Sequence, residues 1–270
     1  MNPLAVVTGA SAGIGAAFAR QLAERGYDLA LVARRTDRLA ELARELETPG
    51  RVRAEILSAD LTRDTDLRFI EDRLRGAPNL EFLVNNAGYG FGGGFLDNSA
   101  DTHDHMHRLH ITATLRLTYA ALGGMVERRR GAIVNVSSVA AFWQTAGAVS
   151  YSATKAWINS FSQGVYLEMK RLGVPVKVQA LCPGFTVTEF HDVMGVDRKV
   201  IPGWLWMPVE GVVEASLRGL EKDQFLVVPG LRYRLIAAAA RLTPWPVRRY
   251  VASRYGLKFR HVTPRGGDSV

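Results

Sequence analysis

Cysteine is nearly missing from these 270 residues: Cys182 stands alone, which excludes an internal disulfide framework and a cysteine-based zinc cluster. A lone thiol suits a reducing compartment. Long hydrophobic runs are missing too, since no uninterrupted apolar stretch approaches the roughly 20 residues that span a bilayer. The opening MNPLAVVTGAS sets no basic leader before its apolar run, and the chain reads as cytoplasmic. Repeats, low-complexity blocks and Pro/Ser linkers are absent, so a chain of this length with 47% hydrophobic residues reads as a single large domain. The body also lacks excess charge. Residues 1–223 hold 25 Lys+Arg and 25 Asp+Glu, so the net charge of +8 comes from nine basic residues and one acidic residue in 224–270. A neutral body argues against nucleic acid as a partner.

What is present is a regular alternation. Apolar runs with β-branched residues occur at 4–8 (LAVVT), 28–33 (DLALVA), 52–57 (VRAEIL), 81–85 (EFLVN), 132–137 (AIVNVS), 176–181 (VKVQAL) and 224–228 (QFLVV). Segments of helical period separate them. AAFARQLAERG closes at Gly26, a C-cap candidate, and DRLAELAREL sets its leucines on one face. Right-handed crossovers then predict an α/β fold with a doubly wound, seven-stranded parallel sheet flanked by helices, its ligand crevice beyond the carboxyl ends of the strands. Residues 1–230 form the expected Rossmann-type body, with a lid at about 188–208 hinged at Gly195 and Gly203. Residues 231–270 form a basic, aromatic-rich extension, expected as terminal helices broken at Pro244 and Pro246. That extension either packs on the body with its arginines in water or lies on an anionic membrane surface.

Directly after the first run comes TGASAGIG, with glycines at 9, 13 and 15. Glycine permits positive φ and close backbone approach, and the following helix aims free N–H groups at an anion, so a pyrophosphate fits; the alternative is an ordinary tight turn. The second run ends in Arg34 and Arg35, where an NAD site commonly presents a carboxylate to the ribose. Two guanidiniums favour a 2′-phosphate, hence NADP(H) over NAD(H), unless they are merely solvated helix-start arginines.

The stretch SYSATKAW sets Tyr151 and Lys155 four apart, on one face of a helix. A cation about 4 Å from a phenol, at an effective dielectric near 20, is worth about 4 kcal/mol, enough to move a pKa of about 10 toward neutrality. Such a pair also occurs on plain surface helices. His103, His107 and His110 share a helix face too, yet no carboxylate is placed to complete a metal site and none is expected. Cys182, before Pro183, reads as a small buried residue.

Taken together, TGASAGIG, NNAG at 85–88, the serine of VNVSS, YSATK and CPGFTVTEF at 182–190 resemble the short-chain dehydrogenase/reductase family, over residues of about 4 to about 190. The resemblance implies a Rossmann-type fold, a nicotinamide cofactor and a homo-oligomer, dimer or tetramer. It puts Gly9, Ser11, Gly13 and Ile14 along the pyrophosphate, Asp60 near the adenine, and Asn86, Ala87 and Gly88 beside the adenosine ribose. Tyr151 matches the catalytic acid/base, Lys155 the residue that acidifies it and holds the nicotinamide ribose, and Ser138 the serine that bonds the substrate oxygen. Pro183, Gly184, Thr186 and Thr188 match the segment passing the carboxamide. One position departs. Where the family keeps an asparagine that helps hold a proton-relaying water, HITATLRLT puts His110, which either substitutes in the relay or marks a weakened enzyme.

The segments after the fourth, fifth and sixth strands are rich in large apolar residues: Tyr89, Phe91, Phe95, Phe142, Trp143, Phe185, Phe190, Val193, Met194, Trp204, Trp206 and Met207. They predict a wide hydrophobic cleft for a lipophilic carbonyl or alcohol, though some must simply pack the lid. The expected activity is NADP(H)-dependent interconversion of the two. The alternative is a catalytically weak cofactor-binding or sensor protein that uses its basic tail for membrane or partner contact.

Overall fold

A computed structural model describes residues 1–47, 52–190, 201–244, 246–247 and 249–250. Seven strands form one sheet: β1 (Leu4–Thr8), β2 (Asp28–Ala33), β3 (Ala54–Ser58), β4 (Leu80–Asn85), β5 (Gly131–Val136), β6 (Val176–Leu181) and β7 (Leu226–Val227), in the order β3-β2-β1-β4-β5-β6-β7. Every pairing is parallel. Five strands hold near-continuous apolar runs because helices cover both faces, and all five residues of β1 are buried. The chain order reverses between β1 and β4, which opens a crevice at their carboxyl ends.

The two edges depart from the sequence expectation. β3 starts two residues later than the apolar run at 52–57, and QFLVV shrinks to two paired residues. At an edge one neighbour alone sets the limits: β3 pairs only with Leu29 through Ala33, and β7 only with Ala180 and Leu181.

Eight α-helices are described: α1 (Gly13–Glu24), α2 (Thr36–Leu46), α3 (Asp64–Arg75), α4 (Ala100–His107), α5 (Ala113–Glu127), α6 (Val149–Arg171), α7 (Val209–Glu221) and α8 (Leu231–Leu242). Gly26 adopts φ 82° just past α1, as a left-handed stop requires. Side chains of α1, α2 and α7 build a core on one face of the sheet around Phe18, Leu22, Leu39 and Leu217. Those of α3, α5 and α6 build the other around Leu67, Ile70, Leu117 and Met169. Glu71, buried on α3, receives Arg116 of α5 and Arg75 and so ties two helices of the second layer.

The C-terminal extension begins with α8, which packs on the body. The Tyr233 hydroxyl donates to the Leu205 carbonyl at 2.6 Å and accepts the Phe185 N–H at 3.0 Å. Gly184 makes room for that ring: a Cβ there would lie 2.1 Å from it. α8 stops two residues before Pro244. Of the expected lid, 191–200, with Gly195, lie outside the described residues, whereas Gly203 opens a single 3-10 turn, Gly203–Leu205. Among the described residues no helix is long and apolar enough to cross a membrane.

Candidate active site

The crevice at the carboxyl ends of the strands is a cleft of about 800 Å³. Its wall includes Gly9, Ser11, Gly13, Ile14, Arg34, Arg35, Asp60, Asn86, Ala87, Gly88, Ser138, Tyr151, Lys155, Pro183, Gly184, Thr186 and Thr188. Of the site residues expected from sequence, only His110 is not part of that wall.

Backbone builds the nucleotide end. Gly9 adopts φ 65°, and a Cβ there would sit 2.8 Å from the Asn86 amide nitrogen and 2.9 Å from the Ala87 backbone. Gly15 has no room at all, since its Cβ would lie 2.3 Å from the Gly9 carbonyl oxygen. Thr8, which motif reading passed over, fastens this approach: its hydroxyl accepts the N–H groups of Asn86 and Ala87 at 2.9 and 3.0 Å and donates to the Val84 carbonyl. The Asn86 amide donates in turn to the carbonyls of Thr8 and Gly9. No side chain caps α1, so its first-turn N–H groups suit an anion.

Two guanidiniums stand at the end of β2. Arg34 faces Asp60 at 3.8 Å, and Arg35 donates to the Ser11 hydroxyl at 3.1 Å and to Glu189 at 2.9 Å. Glu189, a second residue the sequence reading missed, also lies 3.9 Å from Arg38.

The chemistry-bearing side chains meet at the start of α6. Tyr151 lies in its first turn and Lys155 one turn on, with Lys155 Nζ 5.7 Å from the centre of the Tyr151 ring. Lys155 is buried and donates to the Val136 carbonyl at 2.8 Å. Burial lowers its pKa to about 8. The Ser137 hydroxyl bonds the Lys155 carbonyl, pinning α6 to the end of β5. Ser138 caps the 3-10 turn Val139–Phe142 by accepting the Ala140 N–H at 3.1 Å, a bond that leaves its own hydroxyl hydrogen unused.

His110 sits on a π-helical turn, Arg108–Thr112, between α4 and α5. Its Nε2 accepts the Tyr89 N–H at 3.2 Å, and its Nδ1 lies 2.9 Å from the Thr154 hydroxyl. That hydroxyl already donates to the Tyr151 carbonyl, so Nδ1 must carry the hydrogen. Burial first, then the charge of Lys155, holds the ring well below its ordinary pKa and therefore neutral. With both nitrogens engaged in this way, the geometry runs against the proton-relay role expected for His110; the ring instead braces α6 beside Tyr151, 6.0 Å away edge-on.

His103 is likewise occupied, bonding the Phe95 carbonyl at 3.0 Å and the Ser150 hydroxyl at 2.7 Å, while His107 is exposed. The three histidines do not converge, and among the described residues no group of three metal-ligating side chains occurs. Cys182 is fully buried, bonds Asn159, and has its thiol pushed up to about 12 by burial.

The apolar wall is narrower than the sequence suggests. Tyr89, Phe142, Trp143, Phe185 and Phe190 line the cleft, whereas Phe91 and Phe95 turn toward His103. Trp206 packs on Phe185, Met207 belongs to the core, and Trp204 is 63% exposed; Val193 and Met194 lie outside the described residues. Ile201 and, from α8, Ile236, Ala237 and Ala240 complete the wall. No motif marks α8 as part of a site.

A family model described as short chain dehydrogenase matches residues 3–198. Over 196 residues the chain is 37% identical to very-long-chain 3-oxoacyl-CoA reductase of Anas platyrhynchos, covering 70% of this chain and 61% of that protein. The match thus spans about three fifths of that relative's length. An NADPH complex of a short-chain dehydrogenase from Sphingobium yanoikuyae is 38% identical, with a TM-score of 0.80 over 93% of this chain and 96% of that one. A bulky-bulky ketone specific alcohol dehydrogenase from Comamonas testosteroni is 34% identical, with a TM-score of 0.77 over 93% and 94%.

Proposed function

The chain belongs to the short-chain dehydrogenase/reductase family of oxidoreductases, and from that premise we propose that it interconverts a bulky, lipophilic ketone and its alcohol with NADP(H). The observation that carries the reading is the buried Lys155 ammonium against the Tyr151 ring at the wall of a cleft that also presents Ser138. A unit charge about 6 Å from the ring centre, at an effective dielectric near 20, contributes about 3 kcal/mol toward negative charge on the phenol ring. Tyr151 therefore gives up its proton to a carbonyl oxygen as charge develops there, and the Ser138 hydroxyl steadies that oxygen by donating to it. In the alcohol-to-ketone direction the same groups act in reverse. His110 serves by position: it links Tyr89, Thr154 and the Tyr151 carbonyl and so fixes where the phenol stands.

The residues suit a dinucleotide, because the glycine positions form a cradle that Cβ atoms would fill. Gly9, Ser11, Gly13 and Ile14 would hold the pyrophosphate, Asp60 the adenine side, Asn86 through Gly88 the adenosine ribose, and Tyr151 with Lys155 the nicotinamide ribose. Pro183, Gly184, Thr186 and Thr188 would border the carboxamide. Nicotinamide supplies the hydride equivalent when bound. NADP(H) is favoured over NAD(H) by Arg34 and Arg35 at the end of β2, where no carboxylate follows Ala33, and the Sphingobium relative with NADPH supports this. A lipophilic substrate is supported by the aromatic wall and by relatives named for very-long-chain acyl and bulky ketone substrates.

Self-association is part of the same reading. The outer faces of α5 and α6 expose Leu115, Tyr119 and Leu167 and carry the stacked rings of Trp157 and Phe161, 4.7 Å apart. A second copy of this chain would cover them.

The test is NADPH oxidation with a panel of ketones graded in bulk and polarity. Tyr151→Phe should still bind NADPH yet lose turnover by orders of magnitude. Unchanged turnover removes Tyr151 from the chemistry, and a preference for small polar ketones removes the lipophilic substrate.

A further inference from the structure

Helix α8 has two apolar faces, and among the described residues the body covers one of them. Tyr233, Ala237 and Ala240 turn inward and are buried. Leu231, Leu235, Ala238 and Leu242 lie on the opposite side: at about 100° per residue, their spacings place them within about 60° of one another. These leucines are 64%, 63% and 82% exposed. Arg232 flanks the stripe on one side and Arg234 and Arg241 on the other, all exposed. Trp204, on the neighbouring 3-10 turn, lies under Arg232 with the guanidinium carbon 6.0 Å from the ring centre.

Charge selects what covers this face. Residues 224–250 contain five arginines and no acidic residue. An apolar stripe bordered on both sides by arginines, with an exposed tryptophan beside it, matches the demands of a lipid–water boundary: leucines enter the acyl edge, arginine stems follow them, and guanidiniums reach the headgroups. The stripe also adjoins the cleft, because Ile236, on the same helix, is both 46% exposed and part of the cleft wall.

We infer that the outer face of α8, with Trp204, docks on an anionic lipid surface and lets the cleft draw its lipophilic substrate from that surface past Ile236. The docking half stands on exposure and charge. The delivery half rests on the lipophilic-ketone reading above.

Sedimentation with vesicles tests the surface, using phosphatidylcholine alone and an equal mixture of phosphatidylcholine and phosphatidylglycerol. The full chain is expected to partition onto the anionic vesicles and to be released by salt. A Leu231→Glu/Leu235→Glu double variant should lose at least tenfold in partition, and Arg234→Glu several-fold. Both should keep wild-type rates on a detergent-free, water-soluble ketone, since these side chains lie outside the cleft, while losing rate on a ketone presented in vesicles. Failure of the wild type to bind anionic vesicles overturns the inference, as does equal binding by the double variant. So does a double variant whose only change is a smaller assembly on size exclusion, which would make the stripe a contact between copies. Vesicle binding without reduction of any ketone keeps the docking surface and sinks the substrate reading instead.

Discussion

At the nucleotide end of the cleft the wall is main chain held at contact distance: Gly9 against Asn86, Gly15 against the Gly9 carbonyl, all fastened by Thr8. At the substrate end the wall is side chains: Phe142 and Trp143 pack with Ala237 of α8, and Phe185, Phe190 and Ile236 line the same cleft. The difference teaches where each end tolerates change. A main-chain wall has no atoms to spare, so one methyl group displaces a backbone, whereas a side-chain wall can be trimmed or refilled and keep its scaffold. The largest expected effect follows. Gly15→Ala puts a Cβ 2.3 Å from the Gly9 oxygen and should abolish measurable NADPH binding by calorimetry, a loss of a thousandfold or more, together with a lowered Tm. Wild-type affinity in that variant would break the comparison outright.

The junction of the two ends holds two buried titratable groups, Lys155 and His110; burial lowers the pKa of both, yet they end in different charge states. His110 has discharged, whereas Lys155, at about 8, keeps its charge at neutral pH. For Lys155 the folded value lies below the ordinary 10.5, so the penalty is fully present below about pH 8 and is relieved as pH rises from about 8 toward 10.5. Lys155→Met removes it. The unfolding free energy of wild type minus variant should therefore climb by about 3 kcal/mol across that window, and a flat difference in chemical denaturation would show that the ammonium is not desolvated.

His110 gives a smaller change. Its value is depressed below the ordinary 6.5, so its contribution is intact above about pH 6.5 and erodes as pH falls toward the folded value. His110→Leu orphans the Tyr89 N–H and frees Thr154, which should cost about 1–3 kcal/mol of stability and lower kcat through a displaced Tyr151. It should also flatten the acid slope of stability below pH 6.5 without shifting the alkaline limb of the rate profile. A shifted limb would restore the proton-relay role.

How much of this was legible in sequence follows the same division. TGASAGIG declares its geometry because only glycine satisfies those contacts, and the strands declare themselves because burial on both faces demands continuous apolar runs. β3 and β7 were misjudged at their ends because an edge strand's limits belong to its neighbour. The His110 lock needs Tyr89 and Thr154, 21 and 44 residues away, and no spacing rule joins them. The α8 wall was equally hidden: Ile236 and Ala237 read as parts of a basic tail until Tyr233 anchors them over Gly184. Trimming that wall should act on substrate alone. Ile236→Ala is expected to raise KM for a bulky ketone about tenfold, the loss of a buried methylene pair or more, with NADPH affinity unchanged; a weakened NADPH affinity would mean the two ends are not independent.

The smallest effect lies where the ends touch. Glu189 comes from the substrate-side segment after β6, yet its carboxylate sits on Arg35, which also holds Ser11 of the glycine loop. On the proposed NADP(H) reading a 2′-phosphate would take the same guanidinium, and Glu189 would compete with it. The pair is about half exposed, 47% and 45%, which limits its worth to about 1 kcal/mol or less. Glu189→Gln, which keeps the shape and removes the charge, should tighten NADPH binding by about three- to fivefold, within that limit, and leave NADH binding as it was, because NADH carries no phosphate at that position. Equal tightening of both coenzymes in titration calorimetry would mean that Glu189 acts on the loop as a whole, and would separate Arg35 from the choice between them.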